Sequence, residues 1–177
     1  MALSPSMSLS PFVPRLALTL RGRADFTKDG CAVDEDAAVL FFDVSGFTAL
    51  SELVIARYGD RGAERLQEQL NRCFGPLVDA VEDAGGEVLA FPGDAALCLF
   101  RLRPPRQTLA ECVAAATVCG RAVCAKLDDM EVRDHVRVRV RAAIGAGVAR
   151  LALVGGAGER WHSVVLGPPV DQLGQTL

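Results

Sequence analysis

Two carboxylates and one glycine turn carry the chemistry legible in this sequence. The apolar run Val39-Leu40-Phe41-Phe42 ends on Asp43, and Val44-Ser45-Gly46-Phe47-Thr48 turns the chain from strand toward helix. An acid at the exposed end of a buried strand, beside the unpaired N–H groups of a helix start, can hold a divalent cation on its oxygens and a polyphosphate on the amides. Asp94, in the turn Phe91-Pro92-Gly93-Asp94, is a second acid of the same kind. Both also have plain structural readings, Asp43 as a helix N-cap and Asp94 as a turn residue. Gly46, Phe47 and Thr48 likewise serve a simple strand-to-helix turn.

The surrounding pattern says how such residues would meet. Residues 39–44 read as a buried strand and 48–58 as a helix. Leu66, Leu70, Phe74, Leu77, Val78 and Val81 recur at helical spacing up to Gly85-Gly86, with Gly75-Pro76 marking a kink. Residues 87–91 and 95–102 form a hairpin through Pro92-Gly93, and Pro104-Pro105 stops it. Residues 109–127 are a helix rich in small residues. Val136, Val138 and Val140 alternate with Arg137, Arg139 and Arg141, a half-exposed strand reaching Gly147. Residues 148–154 and 161–166 flank a glycine-rich loop, and Pro168-Pro169 opens a last helix. The order β-α-β-β-α-β plus a hairpin predicts an α+β, ferredoxin-like (split βαβ) domain. In that topology the first and third strands are antiparallel neighbours, which makes Asp43 and Asp94 neighbours too. A Mg²⁺ pair between them would relieve their repulsion and neutralise a leaving pyrophosphate. Arg141 could reach phosphate oxygens, although a solvated strand face accounts equally well for all three arginines.

Whole-chain properties bound the function. The 177 residues are half apolar with a net charge of −3, which fits one domain with a substantial core and gives no electrostatic case for nucleic acid. Six cysteines without a CxxC pair or histidine spacing argue against zinc and for a reducing, cytoplasmic setting. No apolar run approaches the ~20 residues that span a bilayer. Residues 1–32 read as a disordered leader, with a transit peptide as the competing reading, and the domain proper as 33–177. His135 and His162 are isolated, and Gly145-Ala146-Gly147 lacks the strand-then-helix context of a dinucleotide fingerprint.

Phe42-Asp43-Val44-Ser45-Gly46-Phe47-Thr48, Asp60-Arg61-Gly62-Ala63-Glu64, Gly85-Gly86-Glu87-Val88-Leu89 and Pro92-Gly93-Asp94-Ala95 resemble the class III nucleotidyl cyclases. The likeness is to the first catalytic domain of the soluble, bicarbonate-responsive adenylyl cyclases. It runs from about residue 33 to the chain end. The resemblance implies a site shared between two such domains, converting ATP to cyclic AMP and pyrophosphate with two Mg²⁺ ions, for which Mn²⁺ can substitute. Asp43 and Asp94 match the family's metal-binding aspartates, and the Val44 carbonyl matches a further metal contact. Gly46, Phe47 and Thr48 match the triphosphate loop, and Arg141 falls where a basic residue contacts phosphate.

The departures from the family pattern are as specific. The base-reading lysine is Ala90, the second base-reading position is Val164, and the transition-state Asn and Arg are Asp171 and Gln175. The metal half is intact while the complementary half is missing, so the resemblance implies a first-half domain, inactive alone, whose second cyclase domain lies in the same full-length chain. A non-catalytic regulatory module and half of a guanylate cyclase are the alternatives. Ala90 and Gly174 stand where bicarbonate would be bound, and neither pairs with an anion, which implies a weak or absent bicarbonate response. The family's domain also continues past the last helix, so the 177 residues are expected to be a C-terminally truncated piece of it.

Overall fold

The computed structural model describes residues 14–59, 62–102, 108–133, 136–155 and 160–175. Pro104-Pro105, His135 and most of the 155–159 loop lie outside them. The elements run α1 (Arg15–Arg21), β1 (Gly30–Ser45), α2 (Phe47–Tyr58), α3 (Gly62–Asp83), β2 (Glu87–Ala90), β3 (Ala95–Arg101), α4 (Leu109–Leu127), β4 (Met130–Arg133), β5 (Val136–Gly155), β6 (Trp161–Leu166) and α5 (Pro168–Leu173). The strands form one sheet in the order β2-β3-β1-β5-β4, with β6 also on β5, every pair antiparallel. The inner order β2-β3-β1-β5 is the ferredoxin-like one, as the sequence predicts.

Strand alternation splits the core in two. Ala38, Leu40, Phe42 and Val44 of β1 face α2, α3 and α4, together with Val138 and Val140 of β5. Ala37 and Val39 face the other way, onto Leu16 and Leu20 of α1, Leu173 of α5, and Ala143, Leu151 and Leu153 of β5. The helix 109–127 appears as read, closed by a capping box in which the Thr108 hydroxyl accepts from the Glu111 N–H. Helix α3 continues through Pro76.

Three sequence expectations need correction. Residues 14–32 are folded rather than part of a disordered leader, while 1–13 lie outside the described residues. Helix α1 buries Leu16 and Leu20 completely, and the buried Glu87 carboxylate accepts from Leu16 N–H at 2.9 Å. Arg15 donates to the Gly86 carbonyl beside it. Strand β1 begins at Gly30 rather than at residue 39, and the acids ahead of the predicted strand are strand residues: Asp34 pairs with Arg150 at 2.9 Å and Glu35 with Arg101. Strand β5 runs unbroken from Val136 to Gly155 instead of dividing at Gly147.

None of the six cysteines forms a disulfide, and Cys73, Cys98, Cys112 and Cys119 are buried. Burial pushes the Cys98 thiol up to about 12 and Cys119 up to about 11, from an ordinary value of 9.0. These two thiols are therefore expected to resist iodoacetamide at pH 8 in the folded chain and to react once it is unfolded, as read by mass spectrometry. The raised values also fix the sign of a pH effect. The unfolded chain loses thiol protons first, so stability contributed by the neutral thiols is complete below pH ~9 and is lost as pH rises toward the folded values. Denaturant melts from pH 8 to 11 check this, and a midpoint rising over that interval would contradict it.

Candidate active site

Asp43 lies near the C-terminal end of β1, on the α1/α5 side of the sheet. The β1–β3 register sets it opposite Ala95, so Asp94, the turn residue immediately before β3, lies at the same sheet end. The juxtaposition predicted from topology is present. Across the other edge of β1, Asp43 is in register with Arg141 of β5, whose Nη2 donates to Asp43 Oδ2 at 2.8 Å. The Asp43 side chain is 30 % exposed and that of Arg141 66 %, so both are reachable from solvent.

Gly46 follows and starts α2, with Leu50 N–H donating to its carbonyl at 3.2 Å. Its φ of 109° is in the left-handed region, and a Cβ there would lie 2.8 Å from the Arg137 carbonyl oxygen. Glycine is thus required by both conformation and space, and it lets the helix start come close against β5. Phe47 and Thr48 form the first turn of α2, and their side chains lie outside the described residues. Val44 buries its side chain in the core, which leaves only its backbone to contribute to a site.

These donors suit a hard divalent cation. Among the described residues no cluster of three or more acidic, histidine or cysteine side chains gathers, so the protein offers two carboxylates and a strand carbonyl. That small, all-oxygen set matches Mg²⁺, which keeps waters and takes substrate phosphate oxygens. The Arg141 guanidinium pairs with Asp43 there, so the carboxylate lies where a cation can reach it.

The remaining predicted positions lie on β2, β6 and α5 and just beyond α5. Ala90 ends β2, exposed, in register with Leu97. Val164 of β6 is opposite Ala152, which in turn is opposite Ala32 of β1. From Ala32 to Asp43 the strand advances roughly 35 Å at about 3.3 Å per residue. Asp171 is exposed on α5, and Gln175 lies just beyond that helix. Within one chain, Val164 therefore cannot serve the centre that Asp43 serves.

Sequence reading missed two features that position the site. One is the Asp43–Arg141 pair. The other is the seat of α5, where a Cβ on Gly145 would lie 1.8 Å from the Pro169 carbonyl oxygen. Nearby, Gln172 Nε2 donates to the Ala146 carbonyl at 3.1 Å and its Oε1 accepts from Ala146 N–H at 3.0 Å. The only signal for this seat was a glycine inside a strand, which marks a close backbone approach.

No protein-family profile matches the chain. Among curated proteins it is similar to adenylate cyclase type 10 of Oryctolagus cuniculus, 34 % identical over 151 residues, which cover 84 % of this chain and 9 % of that protein. The chain thus spans a small part of the length of the relatives it matches. Among solved structures it resembles the adenylyl cyclase CyaB from P. aeruginosa with a TM-score of 0.66 and 23 % identity, over 82 % of this chain and 72 % of that one. It also resembles the guanylate cyclase domain of RhGC from Catenaria anguillulae, solved in complex with GTP, with a TM-score of 0.63 and 16 % identity over 80 % and 72 % of the two chains. At these identities the structural likeness establishes the fold, and the curated relatives supply kinship in sequence. The chain belongs to the class III nucleotidyl cyclase family.

Proposed function

We propose that this chain is the metal- and triphosphate-binding half of an adenylate cyclase, converting ATP to cyclic AMP and pyrophosphate in the cytoplasm for intracellular signalling. The observation that carries the reading is the convergence of Asp43, Asp94, Arg141 and the Gly46 turn at one sheet end. Asp43 and Asp94 would hold the two Mg²⁺ ions with the Val44 carbonyl. When bound, these ions would lower the pKa of the attacking ribose hydroxyl and neutralise charge on the phosphates. The Gly46, Phe47 and Thr48 amides, at the start of α2, would face the triphosphate, and Arg141 would contact a phosphate oxygen. Catalysis by this half is positioning and charge stabilisation for attack of the ribose 3′-hydroxyl on the α-phosphorus.

The other half must come from a second cyclase domain, because Ala90, Val164, Asp171 and Gln175 carry neither base-reading nor transition-state groups to a common place. The sheet supports such a partner. Val148, Val154 and Leu166 share one sheet face and are 55, 42 and 51 % exposed, beside the half-buried Val164. Among the described residues no helix is long and apolar enough to cross a membrane.

The test is co-expression with a complementary second cyclase domain and an assay of cyclic product from ATP and GTP with Mg²⁺ or Mn²⁺. Cyclic AMP from the pair and none from the chain alone is the expected result. Cyclic GTP instead would reassign the base. No product with any complementary domain would leave a regulatory module, and appreciable turnover by the chain alone would overturn the half-site reading.

A further inference from the structure

Three arginines line the exposed strip of β5 at the site, and they differ in what they touch. Arg137 donates to the Asp129 carboxylate. Arg139, opposite Ser45, makes no ion pair among the described residues. Arg141 alone is bound to a residue proposed to hold metal, at 2.8 Å from Asp43 Oδ2. The guanidinium assigned to phosphate thus already has a carboxylate, and the carboxylate assigned to metal already has a cation. A divalent ion taking that oxygen would stand within a few ångströms of the guanidinium, where two positive charges repel strongly. One of them has to leave.

We propose that Arg141 is an exchangeable counter-ion of Asp43: it occupies the carboxylate until metal and triphosphate arrive, and then passes from carboxylate to phosphate. The proposal rests on the reading of Asp43 as a metal ligand. Arg141 is exposed enough to move, and the β1–β5 ladder holds the two backbones in fixed register, so the exchange needs only side chains to move. Metal alone must displace the guanidinium and so binds weakly. A triphosphate offers the guanidinium another anion, which removes that competition, and by linkage metal favours triphosphate to the same degree. In this role Arg141 is a positioning residue whose effect appears before any reaction.

Mn²⁺ alone, titrated onto the 177-residue chain without nucleotide and followed by the electron paramagnetic resonance of the unbound ion, tests this. Arg141→Met is expected to bind Mn²⁺ about threefold to fivefold more tightly than the unaltered chain, the scale of an exposed ion pair, and Arg141→Lys to stay within about twofold of it. Arg139→Met removes a neighbouring charge that does not touch Asp43 and is expected to gain less than about twofold. Adding Asp43→Asn to Arg141→Met should erase the gain. Thermal melts show that each variant is folded, and Arg141→Gln replaces the methionine variant if that one is not. Equal affinities for the unaltered chain and Arg141→Met, or an equal gain from Arg139→Met, would overturn the counter-ion role while leaving the metal site standing. No saturable Mn²⁺ binding by any variant would remove the metal site itself, and the proposal with it.

Discussion

Asp43→Ala and Asp94→Ala should each lower cyclic-nucleotide formation by the reconstituted pair at least about 100-fold, the scale of losing one charge-stabilising group from a transition state. Neither should unfold the chain. Asp43 has a side chain 30 % exposed and its described partner is an arginine 66 % exposed, so its removal breaks a surface pair worth about 0–1 kcal/mol. Asp94 is half-buried in the turn before β3, with no core role. The two readouts therefore separate: product falls steeply while the melting temperature moves by a few degrees at most. Asp43→Asn sharpens the test, since it keeps the shape and the capacity to accept a hydrogen bond while losing the charge. The helix N-cap is Gly46, not Asp43, so the remaining structural role for Asp43 is its surface pair with Arg141, and if that were its whole role Asn would leave product near normal. Product within a few-fold of normal in both alanine variants would sink the metal assignment.

What the sequence disclosed about this site, and what it did not, follows from the range of the interactions involved. Local periodicity identified α3, α4 and the β2–β3 hairpin, because their apolar spacing and glycine-proline punctuation are properties of adjacent residues. The Asp43–Asp94 juxtaposition was legible one step further, through topology, since β1 and β3 must neighbour each other in a split βαβ sheet. Cross-strand register is not written locally, and so the Asp43–Arg141 pair was invisible: any of Arg137, Arg139 or Arg141 could have faced Asp43. The N-terminal half of β1 was lost for a related reason. The run Asp34-Glu35-Asp36 has no apolar alternation to mark a strand, and only β5 and β3 supply Arg150 and Arg101 as ion partners of Asp34 and Glu35. Helix α1 is seven residues long behind Pro14, too short to persist without the sheet that buries Leu16 and Leu20. Its folding is a tertiary fact with almost no local signature.

Gly145→Ala is expected to be a severely damaging single-methyl change, costing about 3 kcal/mol or roughly 10 °C of melting temperature. The added carbon would lie 1.8 Å from the Pro169 carbonyl oxygen and 2.7 Å from its carbon, and neither is the end of a side chain that can swing aside. Either α5 lifts or β5 bends. Lifting α5 exposes Leu173 and breaks both hydrogen bonds between Gln172 and Ala146. Bending β5 is resisted by the ladder to β1, in which Gly145 is opposite Val39 in the buried heart of the sheet. Gly120→Ala is the matched comparison. There the new carbon would meet Leu40 Cδ1 at 3.3 Å, a side-chain end that can give by tenths of an ångström, and Ala142 Cβ at 3.6 Å, an ordinary contact. The alanine also favours helix α4 by up to about 1 kcal/mol, so the net change should be within about 1 kcal/mol of zero. Equal melting temperatures for the two variants would show that α5 does not depend on the glycine seat. A large loss at Gly145 alone would identify close backbone approach as what holds this helix on the sheet.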